Sequence, residues 1–240
     1  MSKNPNIEAF DSEAEVLERL YPSEDTGYVE EMRPFLSQLE LSETDTGTVV
    51  ELGCGLGNLT QALLEIFPKA NVLGVDGSAR LVDIARRRVG VDRRVSFIVS
   101  PFEDLKWQAL PQDCAAVVAV YALEHIPPEE RCRMYRGICG ILRDGGVFLD
   151  KEWARDTTRP GADPRDRSRL EHTPDFIRRA IAEGRITVEE HWRLWDKLAQ
   201  PKDHCFMDLE EQQAALNAAG FREVGGEWIT AAITVVRARR

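Results

Sequence analysis

The sequence predicts an α/β fold with a doubly wound, mostly parallel sheet, and three observations carry that prediction. A short apolar run ends in an acid and three alternate glycines, Val49-Val50-Glu51-Leu52-Gly53-Cys54-Gly55-Leu56-Gly57, and a helical pattern opens directly after it. About twenty residues on, a second apolar run ends in an acid, Val72-Leu73-Gly74-Val75-Asp76, at the spacing where a carboxylate meets the hydroxyls of a ribose. From Thr48 to Lys151 short apolar runs alternate with helix-period segments, the pattern of parallel strands joined by right-handed crossovers.

Taken in order, residues 1–47 read as a helical cap carrying twelve Asp/Glu against three Lys/Arg. Such a segment is either a solvated acidic face or, in part, a cover over the site, with Tyr28 and Arg33 the residues to watch. Strand one is expected over Thr48–Leu52 and its helix over Leu56–Phe67, where Asn58 and Thr60 open the first turn and leave unpaired N–H groups. Strand two covers Asn71–Val75, a helix Ala79–Val89, strand three Val95–Val99 and strand four Cys114–Val120. Strand four is apolar throughout, as a strand buried on both faces should be. A helix over Glu129–Leu142 starts after Pro127-Pro128 and stops before Gly145-Gly146, and Val147–Leu149 is strand five.

The alternation then breaks. Residues 153–205 read as a helical insertion, with segments near Pro174–Glu183 and Thr187–Ala199. A final helix ends at Gly220, and Phe221–Trp228 and Ala231–Arg237 are apolar enough to pair as a closing antiparallel hairpin. The chain thus divides into a cap (1–47), a core (48–152), an insertion (153–205) and a closing segment (206–240). An insertion at that edge of the sheet is where a shared fold acquires its own substrate.

Composition agrees with one α/β unit. The 240 residues are 43% hydrophobic and 30% charged, long enough to bury a full core. No apolar run approaches membrane-spanning length, and the start, Met1-Ser2-Lys3-Asn4-Pro5, has no signal-peptide core. The five cysteines (Cys54, Cys114, Cys132, Cys139 and Cys205) form no Cys-x-x-Cys pair and read as reduced thiols of a cytoplasmic protein, with no metal site implied.

The glycine pattern is Gly-x-Gly-x-Gly with Glu51 just ahead of it, rather than the Gly-x-Gly-x-x-Gly of a dinucleotide fingerprint. An acid beside the loop suits a cationic, phosphate-free ligand better than a pyrophosphate. In Glu51-Leu52-Gly53-Cys54-Gly55-Leu56-Gly57, Gly74-Val75-Asp76 and Leu142-Arg143-Asp144-Gly145-Gly146 the chain resembles the class I S-adenosylmethionine-dependent methyltransferases. The resemblance implies a Rossmann-like, seven-stranded sheet and S-adenosylmethionine as cofactor, leaving as S-adenosylhomocysteine. It implies cofactor contacts at Glu51, Gly53, Cys54, Gly55, Asp76 and Gly77, with Asp76 on the ribose and Glu51 sensing the amino group. In relatives an acid after strand three meets the adenine, but Pro101 stands there in this chain, which shifts the expectation to Phe102 and Glu103. Relatives also reach the methionine carboxylate from a cap helix, the place offered here by Tyr28.

Methyl transfer asks little of the protein beyond placing the acceptor in line, and a base only where the acceptor must lose a proton. In the family the end of strand four, Val120-Tyr121-Ala122-Leu123-Glu124-His125-Ile126-Pro127, lies beside the transferred methyl. Tyr121 is a pocket-lining candidate, and His125 is either a base or a residue packing the next helix. His191 and His204 are the insertion's alternatives. Trp153, Trp192 and Trp195 read either as an aromatic wall or as the insertion's own core. Arg155, Arg159, Arg165, Arg167 and Arg169 would clamp an anionic acceptor, unless the interspersed acids leave them solvated.

A small-molecule acceptor is therefore expected. A diffuse similarity to carboxy-S-adenosylmethionine synthases, which serve tRNA wobble-uridine modification, runs through Phe10-Asp11, Tyr21-Pro22, Tyr28 and Leu216-Asn217-Ala218-Ala219-Gly220-Phe221. Val120 stands where those relatives tend to carry Asn. Net charge of −10 argues against direct nucleic-acid binding, and nothing suggests a membrane. A non-catalytic binding protein is the third class, and helices over the site are equally compatible with a homodimer surface.

Overall fold

The computed structural model describes residues 5–23, 26–155, 175–198, 206–230 and 232–240. Seven strands form one sheet: β1 (Thr48–Leu52), β2 (Asn71–Asp76), β3 (Val95–Val99), β4 (Cys114–Val120), β5 (Leu142–Trp153), β6 (Glu223–Thr230) and β7 (Ile233–Arg239). Their order is β3-β2-β1-β4-β5-β7-β6, with β1 to β5 parallel and β7 antiparallel to both β5 and β6. The strand order reverses between β1 and β4, which opens a crevice beyond their carboxyl ends.

Among the described residues the helices are α1 (Pro5–Ser12), α2 (Ala14–Leu20), α3 (Thr26–Ser37), α4 (Asn58–Ile66), α5 (Ala79–Val89), α6 (Pro128–Ile141), α7 (Asp175–Ala182), α8 (Val188–Leu198) and α9 (Leu209–Ala219). One face of the sheet is covered by α3, α4 and α5, through Met32, Leu36, Leu59, Leu63, Leu81 and Ile84. The other is covered by α6 and α9, through Met134, Tyr135, Ile138 and Leu216. β4 lies between them with six of its seven residues buried, which is why its sequence is apolar without alternation.

Several boundaries differ from the sequence reading. The first core helix starts at Asn58, not Leu56, because Gly57 holds a left-handed φ of 82° at its N-cap. β5 begins at Leu142, paired with Cys114, and a register shift between Cys114 and Ala116 absorbs the Gly145-Gly146 kink inside the strand. The closing hairpin sits two residues later than expected. Phe221 stays out of it and packs, buried, 6.1 Å from the Phe148 ring.

The acidic cap is not simply a solvated face. Glu13, at the N-cap of α2, is buried and lies 2.5 Å from Lys197 and 3.8 Å from Arg193 of α8, and Arg19 meets Glu190 at 2.6 Å. Arg185, just before α8, donates to the Leu20 carbonyl at 2.6 Å. Partly exposed pairs of this kind contribute little each, but together they hold α2 against α8 beside the crevice.

Candidate functional site

The crevice has two lobes that share the glycine loop. The larger, about 210 Å³, is walled by the cap, the loop and the helices α7 and α8; the smaller, about 160 Å³, lies between α1, the end of β2 and the turn after β3. Phe10, Gly53, Gly55, Leu81, Tyr121 and His125 line both and form the seam. Among the described residues no Lys or Arg lines either lobe.

The loop is built by its backbone. The N–H groups of Gly53 and Cys54 donate to the Val75 carbonyl at 2.8 and 3.1 Å, and Gly55 N–H donates to Asp76 Oδ2 at 2.9 Å. Gly53 has φ 75°, and a Cβ added to it would lie 2.4 Å from the Ala122 Cβ, so the turn after β4 packs on it directly. Gly55 has φ 48°, yet its missing Cβ faces open space, the geometry of a backbone left bare for a ligand.

Asp76 links the two acidic strand ends. Its Oδ1 accepts from Ser78 N–H at 2.8 Å while Oδ2 holds Gly55; burial raises its pKa and these N–H groups oppose the rise. Ser78 caps α5 by accepting from Leu81 N–H and donates its hydroxyl to Asp11 of α1, which ties the cap to this corner. Gly77, Pro101, Phe102 and Glu103 line the smaller lobe beside Asp76.

Glu51 is buried in the larger lobe and accepts from the Thr60 hydroxyl at 2.5 Å. Burial pushes its carboxyl up to about 8, against the Thr60 hydrogen bond. Burial likewise raises the Cys54 thiol, so Cys54 is an inert wall rather than a nucleophile. Tyr28 lines the same lobe, buried, with Tyr21 and Phe176 rings 6.0 and 6.3 Å away.

Arg33 does not reach the site. It is half exposed and pairs with Glu30 at 3.1 Å and Glu65 at 3.8 Å, because α3 turns that position outward.

Tyr121 stands on the seam with φ 51°, a left-handed conformation that costs an L-residue roughly 1–2 kcal/mol. Its buried hydroxyl has no hydrogen-bond partner among the described residues. Its ring lies 5.7 Å from Trp153 and 6.3 Å from Phe176, with Lys151 Nζ 5.7 Å from the ring centroid. Burial lowers the Lys151 pKa while Glu31 supports its charge.

His125 packs edge-on against Phe10 at 5.4 Å, and its Nε2 lies 4.0 Å from Glu124. His191 is buried in the larger lobe, and burial pulls its pKa down to about 4, leaving it neutral and weakly basic at pH 7. His204 and the arginines 159, 165, 167 and 169 lie outside the described residues, and Arg155 is exposed and lines neither lobe.

The aromatic wall is partly the expected one. Trp153 and Trp195 stack edge to face at 4.7 Å and line the larger lobe, joined by Phe176 and Tyr21. Trp192 does not line it; it turns aside against His191, 4.6 Å away. Trp195 shares its helix face with His191 one turn earlier, an i,i+4 relation that three-residue spacing obscures.

Sequence reading missed a buried polar cluster behind the seam. Glu124, Arg131, Asp150 and Glu152 are all buried. Glu152 accepts from Ala122, Leu123 and Glu124 N–H at 3.3, 2.7 and 3.1 Å. Burial and the neighbouring Glu152 push the Glu124 and Asp150 carboxyls well above their usual range, while Arg131 opposes the rise. The available signal was Asp150 and Glu152 at alternate positions of an apolar strand, which places two acids on one interior face.

Comparison with known proteins accords with this geometry. A family model described as a methyltransferase domain matches residues 49–146. The tRNA N(3)-methylcytidine methyltransferase of Schizosaccharomyces pombe is 27% identical over 125 residues, 49% of this chain and 50% of that protein. The trans-aconitate 2-methyltransferase of Rhodopseudomonas palustris is 51% identical over 102 residues, 42% of this chain and 37% of that protein. The chain thus spans half or less of these relatives' length. Among solved structures, phosphoethanolamine N-methyltransferase 2 of Haemonchus contortus, with phosphomonomethylethanolamine and S-adenosylhomocysteine, shares the fold at a TM-score of 0.67 and 13% identity, over 96% of this chain and 58% of that one. The matched stretch, residues 49–146, runs from β1 into β5 and holds the glycine loop and both acidic strand ends, and over it the chain is similar to S-adenosylmethionine-dependent methyltransferases.

Proposed function

We propose that the protein binds S-adenosylmethionine across the two lobes and transfers its methyl group to a small-molecule acceptor held in the larger one. The observation that carries this reading is the make-up of the lining: Glu51, Asp76, Glu103 and Glu124 contribute carboxyl groups, and no described Lys or Arg lines either lobe. A pyrophosphate would find no cation there, whereas a sulfonium and an amino group meet carboxyl groups that a cation favours in their ionised form. The chain's own residues fit the cofactor. Gly55 leaves main chain bare, Asp76 lines the smaller lobe, and the Tyr121 hydroxyl has no partner among the described residues.

In this reading Asp76 holds the ribose, Phe102 and Glu103 flank the adenine with Gly77 beneath, and Glu51 faces the amino group. Tyr28 closes the methionine end. When bound, the cofactor supplies an activated methyl on its sulfonium, so Tyr121, Trp153, Trp195 and Phe176 need only orient the acceptor and exclude water. His125 is the group placed to take a proton at an imidazole nitrogen where the acceptor has one to lose, while burial leaves His191 a poor base. The described wall offers rings and carboxyls and no Lys or Arg. Net charge of −10 weighs against RNA as acceptor, despite the tRNA-modifying relative.

Calorimetric titration with S-adenosylmethionine, S-adenosylhomocysteine and NAD tests the reading. Micromolar binding of the first two without NAD is expected, and binding of NAD alone would overturn it. Asp76→Ala should weaken S-adenosylhomocysteine binding at least tenfold, the order expected when charged hydrogen bonds are lost. An unchanged affinity would remove Asp76 from the site.

A further inference from the structure

Glu152 lines neither lobe, yet it holds the segment that lines both. The turn after β4 contributes Tyr121, Ala122, Glu124, His125 and Ile126 to the lobes. Its three consecutive N–H groups, from Ala122 to Glu124, converge on the Glu152 carboxylate at 2.7 to 3.3 Å. Converging amides of this kind make an anion-binding nest, and here the chain fills the nest with its own side chain. Arg131 grips the far end of the turn, donating from Nε to the Ile126 carbonyl at 3.2 Å. Burial alone would raise the Glu152 carboxyl, but contacts with Glu124, Arg131, Asp150 and the Leu123 N–H outweigh it and hold the group ionised.

The turn is also the surface on which the glycine loop rests, since the Gly53 backbone packs directly against Ala122. Its first residue, Tyr121, sits at positive φ, a conformation that persists where the surroundings over-determine it. Movement of the turn would therefore displace the seam, the glycine loop and the acceptor wall together. We propose that Glu152 is a positioning residue: its carboxylate, backed by Arg131, fixes the 121–126 turn and so sets the geometry of both lobes. The alternative is a buried ion pair that contributes only to folding.

Amide hydrogen exchange on the intact protein, resolved at residues 122–124, separates the two, together with S-adenosylhomocysteine calorimetry. In the wild type the Leu123 and Glu124 amides should exchange as slowly as those of β4, although they lie outside the sheet. Glu152→Gln should speed them at least tenfold, leave β1 and β2 amides unchanged, and weaken S-adenosylhomocysteine at least tenfold. Glu152→Asp, which keeps the charge on a shorter arm, should fall between. Wild-type amides at 122–124 exchanging at open-loop rates would overturn the proposal. So would a Glu152→Gln variant whose turn loosens with affinity unchanged, or whose affinity falls only in step with faster exchange across β1 and β2. If Glu152→Gln does not fold, the wild type and Glu152→Asp decide. The affinity arm rests on the proposed cofactor; absence of binding by the wild type would sink that reading while the exchange arm still tests Glu152.

Discussion

At the ends of β1 and β2 the cleft is shaped by main chain, whereas at the ends of β4 and β5 it is shaped by buried side chains reaching back to main chain. On the first side, Gly53, Cys54 and Gly55 donate to Val75 and Asp76, and the Gly55 backbone lies bare toward the cleft. On the second, Glu152 and Arg131 pin a turn whose side chains, Tyr121, Glu124 and His125, line the cleft. The backbone side suits a constant ligand, because little in it can vary without breaking the loop. The side-chain side can change its wall residue by residue behind a fixed turn, which suits an acceptor that differs among enzymes of one fold.

The largest effect expected on the backbone side separates two neighbouring glycines. Gly53→Ala meets both a positive φ and Ala122 at 2.4 Å, so stability should fall by about 3 kcal/mol, combining the left-handed penalty with overpacking. Gly55→Ala meets the φ penalty alone, about 1 kcal/mol, but places a methyl in ligand space. Its S-adenosylhomocysteine affinity should drop at least tenfold. Denaturant unfolding and calorimetry on the pair check this; equal losses of stability would erase the distinction between the packing glycine and the binding one.

Glu51 offers a pH-dependent test of the same side. Its native pKa, raised by burial to about 8, exceeds the unfolded value of roughly 4.3. Between those values the native state keeps a proton that the unfolded state has lost. The associated stability is complete below the unfolded pKa and is lost as pH rises through about 8. Ligand-free wild type should therefore lose more Tm between pH 6 and 9 than Glu51→Gln does. Binding a cationic ligand should also ionise Glu51, so titrations of S-adenosylmethionine at pH 7 in buffers of different ionisation heat should show proton release. Identical pH profiles for wild type and variant would mean that Glu51 is charged already.

The contrast also explains what was legible beforehand. Glycines at alternate positions, acids at strand ends and an unbroken apolar β4 are local signals, and each is tied to one backbone requirement. The seven-stranded sheet is what the family resemblance implies, while the order β3-β2-β1-β4-β5-β7-β6 is visible only in the structure. The buried cluster was not legible, because Glu124, Arg131, Asp150 and Glu152 come from three separate elements and meet only once β4, β5 and α6 have packed. The outward turn of Arg33 and the diversion of Trp192 toward His191 are likewise set by helix packing, which residue type alone does not encode. Phe10, Tyr21 and Phe176 reach the lobes from outside the glycine-loop motif, so a motif-centred reading passed over them as site residues.

Tyr121→Phe gives the smallest effect and the sharpest one for the side-chain half. The substitution keeps the ring between Trp153, Phe176 and Lys151 and removes a buried hydroxyl that has no partner among the described residues. Deleting an unsatisfied buried donor should leave stability unchanged within about 0.5 kcal/mol, or raise it slightly. If the hydroxyl is kept for the ligand, the same variant should bind S-adenosylhomocysteine or turn over its acceptor about three- to tenfold less well, the worth of one hydrogen bond. Stability lost in step with affinity would give the hydroxyl a partner inside the protein. Affinity and turnover both unchanged would leave the seam to the ring alone, with the left-handed backbone at 121 serving packing rather than recognition.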